Sequence, residues 1–270
     1  MKFIAVLLIA FAATAAAQDK VTVPLSDGSQ PATIKARLIS GSITVTVGSG
    51  PQVVVQAEPA ANSSREPLPP TPPPPPGMHR IDGNRYGFNA EEDHNVVTIS
   101  GGVNRMNLTI EVPANSSLEL RSVNGGTISV TGVNGNLDVE HTNGSIELKD
   151  VSGTVLAHTV NGNVTVGLTR VTADKPMSFS SLNGKVDVTL PADTKARLHL
   201  KSTNGEIFSD FDVKMEPDTS KPVVEDSRGN GGGRFRIRMN RGANIYGSIN
   251  GGGPEYSFQT MNGTILIHRK

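Results

Sequence analysis

The side chains of this 270-residue chain that could carry chemistry are few and scattered. Its six histidines, His79, His94, His141, His158, His199 and His268, include no two at the three- or four-residue separation that sets a pair of imidazoles on one helical face for a metal. His141 and His158 each fall just before an Asn-Gly and would approach one another if stacked. Aligning the turns instead places Ser122, His141, Thr159, Ser181, Ser202 and Thr260 in one column and displaces His158 by one position. That alignment predicts a hydrogen-bonded surface ladder of small polar groups rather than a metal site. Cleavage of a polysaccharide needs two carboxylates flanking the scissile bond, for which Asp138, Glu140, Glu147 and Asp187 are the candidates. All four sit at ordinary alternating positions with no local break in pattern, whereas catalytic sites usually show one. Arg234, Arg236 and Arg238 alternate with Phe235, Ile237 and Met239, so a strand there has one basic face. Such a face is a candidate surface for an anionic polysaccharide or lipid headgroup, a partner for the nearby acids, or a charged guard on a sheet edge. There is no Gly-x-Ser-x-Gly elbow and no Walker loop, and the glycine runs at 231 and 251 lack the Asp of a calcium-binding nonapeptide. No catalytic, cofactor or metal residue is expected.

The elements that would position these residues are set by a recurring corner. Asn-Gly occurs at Asn124-Gly125, Asn134-Gly135, Asn143-Gly144, Asn161-Gly162, Asn183-Gly184, Asn204-Gly205, Asn250-Gly251 and Asn262-Gly263. This dipeptide suits a tight turn with positive φ at both central residues, and each pair is followed by period-two alternation. Alternation predicts buried pairs at Ile128/Val130, Leu137/Val139, Ile146/Leu148, Val164/Val166, Val186/Val188 and Ile265/Ile267. Asn124, Asn143, Asn161, Asn183 and Asn204 recur every 18–22 residues, one circuit of a solenoid. The expected fold is therefore all-β, a right-handed β-helix or β-solenoid with such coils. A longer repeat overlies it: residues 112–125, from Val-Pro-Ala-Asn to Asn-Gly, recur as 190–205 with two extra residues in the corner. Aromatics are only 4% of the chain and glycines number 29, which fits a thin aliphatic interior.

Residues 1–17 read as a signal peptide: Lys2, an apolar run over 3–13, and Ala15-Ala16-Ala17 before Gln18. Its removal takes one of 25 basic residues and none of 25 acidic ones, leaving one net negative charge and no general attraction for nucleic acid. Cysteine is absent, which excludes disulfides, thiolate metal sites and the acylated Cys of a lipoprotein. The expectation is an exported, periplasmic or extracellular chain with no membrane segment after signal cleavage. The expected divisions are an N-terminal strand cap over 18–58, a Pro-rich insertion over 59–80, a solenoid core over 81–213, a flexible loop over 214–233 and final coils over 234–270.

The segments Ser-Val-Asn-Gly-Gly-Thr-Ile-Ser-Val, His-Thr-Asn-Gly-Ser-Ile-Glu-Leu and Ser-Leu-Asn-Gly-Lys-Val-Asp-Val, with the closing Gln-Thr-Met-Asn-Gly-Thr-Ile-Leu-Ile, resemble the bacterial putative adhesin family of exported domains of unknown function. The resemblance covers roughly 30–270 apart from the two excursions. It implies a single-stranded right-handed β-helix and brings no catalytic residues. Two function classes remain: a non-catalytic envelope or surface protein presenting β-ladders to glycan or protein, and a polysaccharide-active lyase or hydrolase. A sensing domain in envelope stress signalling is allowed but not indicated.

Overall fold

The computed structural model describes residues 19–60, 87–101, 105–216, 223–226, 235–238 and 244–270. Every regular element among them is a strand. Period-two sequence with Gly at the corners leaves no stretch with a helical apolar face, and the strands wind into a two-faced solenoid. Each rung has one strand before its Asn-Gly corner, here the first face, and one after it, the second face. The corner is gentle enough that Ser116–Thr131 and Asn134–Asn161 run through it as continuous strands.

All six predicted apolar pairs point inward and are buried. Their equivalents on neighbouring rungs pair in parallel register, for example Ile128 with Ile146, Ile146 with Val164, and Val164 with Val186. Larger rings are few: Phe179 and Phe258 stack near one end with centroids 5.0 Å apart, and Phe88 is buried near the other.

The rungs are not stacked in sequence order. On the first face the order runs Val96–Ser100, Ala32–Ser40, 116–124, 137–143, 155–161, Met177–Asn183, Glu255–Asn262, Ala196–Asn204. The second face agrees: Ile43–Val47 lies between Met106–Val112 and 128–131, and Ile265–Arg269 lies between Val186–Leu190 and Ile207–Ser209. The expected succession from Asn183 to Asn204 is thus interrupted by Asn262. The chain skips a level twice, between Val112 and Ser116 and between Leu190 and Ala196, and each vacated level is filled by a segment distant in sequence. These two skipping corners are the two copies of the longer sequence repeat, Val-Pro-Ala-Asn and Leu-Pro-Ala-Asp.

Antiparallel strands close the ends. Gln52–Pro59 and Asp19–Pro24 continue the second face beyond Met106–Val112, and Asn89–Asp93 continues the first face beyond Val96–Ser100. At the other end Ile245–Ile249 and then Lys214–Glu216 extend the first face beyond Ala196–Asn204. Lys214–Glu216 and Val223–Asp226 are strands inside the stretch expected as a loop, and Pro59 ends a strand rather than opening the insertion. The Pro-rich stretch past Ala60 lies outside the described residues, as does the expected signal peptide.

Candidate functional site

The corner that carries the sequence signal is built from three stacked columns. Outermost are the asparagines. Asn143 Nδ2 donates to Asn124 Oδ1, Asn161 to Asn143, Asn183 to Asn161, Asn262 to Asn183 and Asn204 to Asn262, all at 2.7–2.9 Å. Asn134 makes the same bond to Asn115 at the opposite corner.

The glycines form the second column, for a reason other than the one expected. Among the described Asn-Gly pairs only Asn250 has an asparagine at positive φ, and Gly135, Gly144, Gly205 and Gly263 are not in the left-handed region. These corners are arcs between stacked parallel strands rather than hairpin turns. Glycine is required because the backbones nearly touch. A Cβ on Gly144, Gly162, Gly184, Gly263 or Gly205 would sit 2.4, 2.2, 2.0, 2.0 or 1.9 Å from the carbonyl oxygen of the glycine on the adjacent rung.

The third column is Ser122, His141, Thr159, Ser181, Thr260 and Ser202, in register as aligned, but facing the interior instead of the surface. Thr159, Ser181, Thr260 and Ser202 each donate a hydroxyl to the carbonyl of the glycine one rung back, at 2.8–3.2 Å. The hydroxyls thus satisfy backbone oxygens rather than one another. His141 breaks the series. It is 2% exposed, and neither ring nitrogen has a hydrogen-bond partner; the adjacent Ser122 hydroxyl is also unpaired. Burial pushes the His141 imidazole below its usual pKa, an effect partly opposed by the nearby backbone of Ser145 and Gly125.

Outward from this corner the first face presents two further columns. Ile39, Val123, Thr142, Val160, Leu182, Met261 and Thr203 lie in register, and Ile39, Val123, Leu182 and Met261 are 48%, 44%, 42% and 46% exposed. Beside them run Arg37, Arg121, Glu140, His158, Ser180, Gln259 and Lys201. Two shallow open depressions cross these columns. One of about 300 Å³ is lined by Arg37, Ile39, Arg121, Val123, Glu140 and Thr142. The other, about 340 Å³, lies among Asp138, Glu140, Leu156, His158, Ser178 and Ser180.

The candidate acids are engaged in ion pairs. Arg121 holds Asp138 at 2.7 Å and Glu140 at 3.2 Å, and its guanidinium pKa is raised chiefly by the hydrogen bond to Asp138. Glu147 pairs with Lys149 at 3.0 Å, and Asp187 pairs with Lys185 at 2.9 Å with His268 at 3.6 Å. The histidines are dispersed. His158 Nδ1 meets Ser180 Oγ at 2.7 Å, His199 stacks on Tyr246, His268 meets Asp210 at 3.0 Å, and His94 contacts Asp93. His79 lies outside the described residues. No cluster of three or more His, Asp or Glu among the described residues is arranged to hold a metal.

The predicted basic strand is present as Phe235–Arg238, paired antiparallel with Val223–Asp226 in a separate two-stranded sheet. Arg236 is opposite Glu225 and Arg238 opposite Val223 in register; Arg234 lies outside the described residues. Sequence reasoning missed the exposed apolar column, although its signal was available in the apolar residues that precede Asn124, Asn161, Asn183 and Asn262. No helix among the described residues is long and apolar enough to cross a membrane.

Two solved structures align along nearly the whole chain at low identity. A putative cell adhesion protein from Clostridium sporogenes matches at 12% identity over 94% of this chain and all of that one, with a TM-score of 0.45. A putative adhesin from Bacteroides fragilis matches at 9% identity over 95% of this chain and 98% of that one, with a TM-score of 0.31. No curated protein matches. The family model described as Toastrack DUF4097 matches residues 10–245, and the chain belongs to that family.

Proposed function

We propose that this chain is a non-catalytic exported envelope or surface protein, an adhesin-like module that binds glycan or protein on the outer side of its first face. The column in which Ile39, Val123, Leu182 and Met261 are exposed, Val160 is half-buried and Thr142 is the polar member between Val123 and Val160 runs beside the asparagine ladder and carries the reading. An inward position explains apolar side chains; an outward row of them does not arise from folding alone, and contiguous exposed apolar surface marks contact sites. Within the ladder, each interior carboxamide uses one N–H and one lone pair on its neighbours. One N–H and one lone pair per rung are left for a ligand. A surface with carboxamide groups repeated every rung, about 4.8 Å, and aliphatic groups on most rungs suits an extended partner better than a small substrate.

The ion-paired state of Asp138, Glu140, Glu147 and Asp187 supports the binding reading over hydrolysis or lysis. The basic start, apolar run and small-residue site over 1–17 support export to the periplasm or beyond. The test is binding of the mature chain to a panel of neutral and acidic glycans and to envelope extracts, with Leu182→Asp and Met261→Asp as paired surface variants. Loss of binding at an unchanged melting temperature is the expected result. Turnover of any glycan would replace this reading with the polysaccharide-active one, and binding indifferent to both variants would remove the first face as the surface.

A further inference from the structure

The skip between Leu190 and Ala196 leaves a gap one rung wide, and the segment that fills it arrives from far along the chain. Glu255–Asn262 closes the gap on the first face, parallel to Met177–Asn183 on one side and Ala196–Asn204 on the other. Ile265–Arg269 closes it on the second face, between Val186–Leu190 and Ile207–Ser209. Tyr256, Phe258, Ile265 and Ile267 are buried behind these strands.

We propose that this slot also accepts the 255–270 segment of a second copy of the chain, so that two copies exchange the segment reciprocally into a closed dimer. The bonds that hold the segment are ladder hydrogen bonds and apolar contacts whose partners are the same whichever chain supplies it. The connection that keeps the exchange intramolecular is short and located by its backbone. Asn250, Gly251 and Gly252 have φ of 49, 91 and 84°, and Gly252 N closes the turn on Ile249 O at 3.0 Å. Gly253 then passes so close to Lys195 that a Cβ would lie 2.4 Å from its carbonyl oxygen.

Upstream of that turn the chain is fixed, because Ile245–Ile249 pairs with both Ala196–Asn204 and Lys214–Glu216. The hinge is therefore residues 250–254. Opening it exchanges the left-handed conformation of Asn250, and the bonds its Nδ2 donates to the Ala192 and Thr194 carbonyls at 3.0 and 2.8 Å, for an extended connection of up to about 17 Å. The closed form has the advantage of a high effective concentration, so exchange is favoured as protein concentration rises.

The absence of cysteine makes the test direct. Ser180 and Gln259 are register partners across the slot. S180C and Q259C placed in one chain should form an internal disulfide and report the closed monomer. Placed on separate chains that are mixed, unfolded together in urea and refolded under oxidation, they should give a covalent dimer. Its peptide map should contain the 180–259 link, and its yield should rise with concentration. Mixed chains that stay monomeric across concentrations at which the double variant cross-links internally would overturn the proposal. So would a dimer joined by other pairs of engineered cysteines only.

Discussion

Replacing His141 with Thr should stabilise the protein, and more so in acid. On the rungs that follow, the equivalent slot holds Thr159 and Ser181, each with a hydroxyl 2.8 Å from the glycine carbonyl one rung back. A threonine at 141 would present its hydroxyl to Gly126 in the same way, contributing about 1 kcal/mol net. It would also remove ring nitrogens that are buried without partners, whose desolvation costs on the order of 1–3 kcal/mol. Against this stands the smaller volume of Thr, whose residual cavity takes back about half of that gain at about 24 cal/mol per Å³. The net expectation at pH 7.5 is a gain of roughly 1 kcal/mol.

The pH dependence follows from the depressed pKa of the buried ring. An imidazole that binds its proton more weakly when folded leaves the unfolded chain holding more protons once pH falls below about 6.5, the unfolded value. Native stability then declines with falling pH, by up to about 1.4 kcal/mol per unit, until pH drops through the lower folded pKa. H141T lacks this loss, while the other histidines are common to both chains and cancel in the difference. Urea unfolding at pH 7.5 and 5.0 should therefore show a stability gap that widens at the lower pH, at constant m value. A gap that stays the same at both pH values, or a variant less stable at both, would refute the account of the slot.

Gly184→Ala places a methyl group 2.0 Å from the Gly162 carbonyl oxygen, where only backbone can yield, and should cost several kcal/mol or prevent folding, read as the thermal midpoint. Asn161→Ala removes two carboxamide bonds and Asn204→Ala only one, so the first should lose about twice as much stability, on the order of 1–2 against about 0.5–1 kcal/mol by chemical denaturation. Equal losses at the two positions would count against a continuous ladder. Arg121→Gln releases Asp138 and Glu140 on a partly exposed surface and should change stability by less than about 1 kcal/mol, with a difference that shrinks in added salt.

What the sequence made legible was the content of a rung. Alternation after each Asn-Gly fixed which side chains point inward, because a slip of one residue would have exposed every one of them. Hidden was the order of the rungs. Ile128, Ile146, Val164, Val186 and Ile265 present the same aliphatic chemistry to a neighbour, so any stacking sequence satisfies the inward pattern equally. Only the corners distinguish one order from another, and there the repeat of 112–125 at 190–205 was visible without its meaning, a step of two levels instead of one. The polar column was likewise aligned correctly yet assigned to the surface. Its hydroxyls look solvent-seeking in sequence, and the glycine carbonyls that accept from them come from a different rung. The glycines gave the right positions for the wrong reason, since close approach between rungs leaves no mark distinct from a left-handed turn.

The interleaving changes what kind of solenoid this is. In an ordinary repeat column each unit touches only its sequence neighbours, so ends fray independently and stability is close to a sum along one dimension. Here Asn183 is bonded to Asn262 and Asn262 to Asn204, so the rung at 196–209 depends on a segment more than fifty residues later in the chain. The rung at 96–112 depends in the same way on 32–47. An end rung cannot be held before its distant neighbour has been placed, which raises the loop-closure cost of folding and couples the ends to the middle. For a surface whose exposed apolar column spans Ile39 to Met261, that coupling keeps the whole row in register: the two ends of the row lie on the two inserted segments, 32–47 and 255–269, each held on both sides.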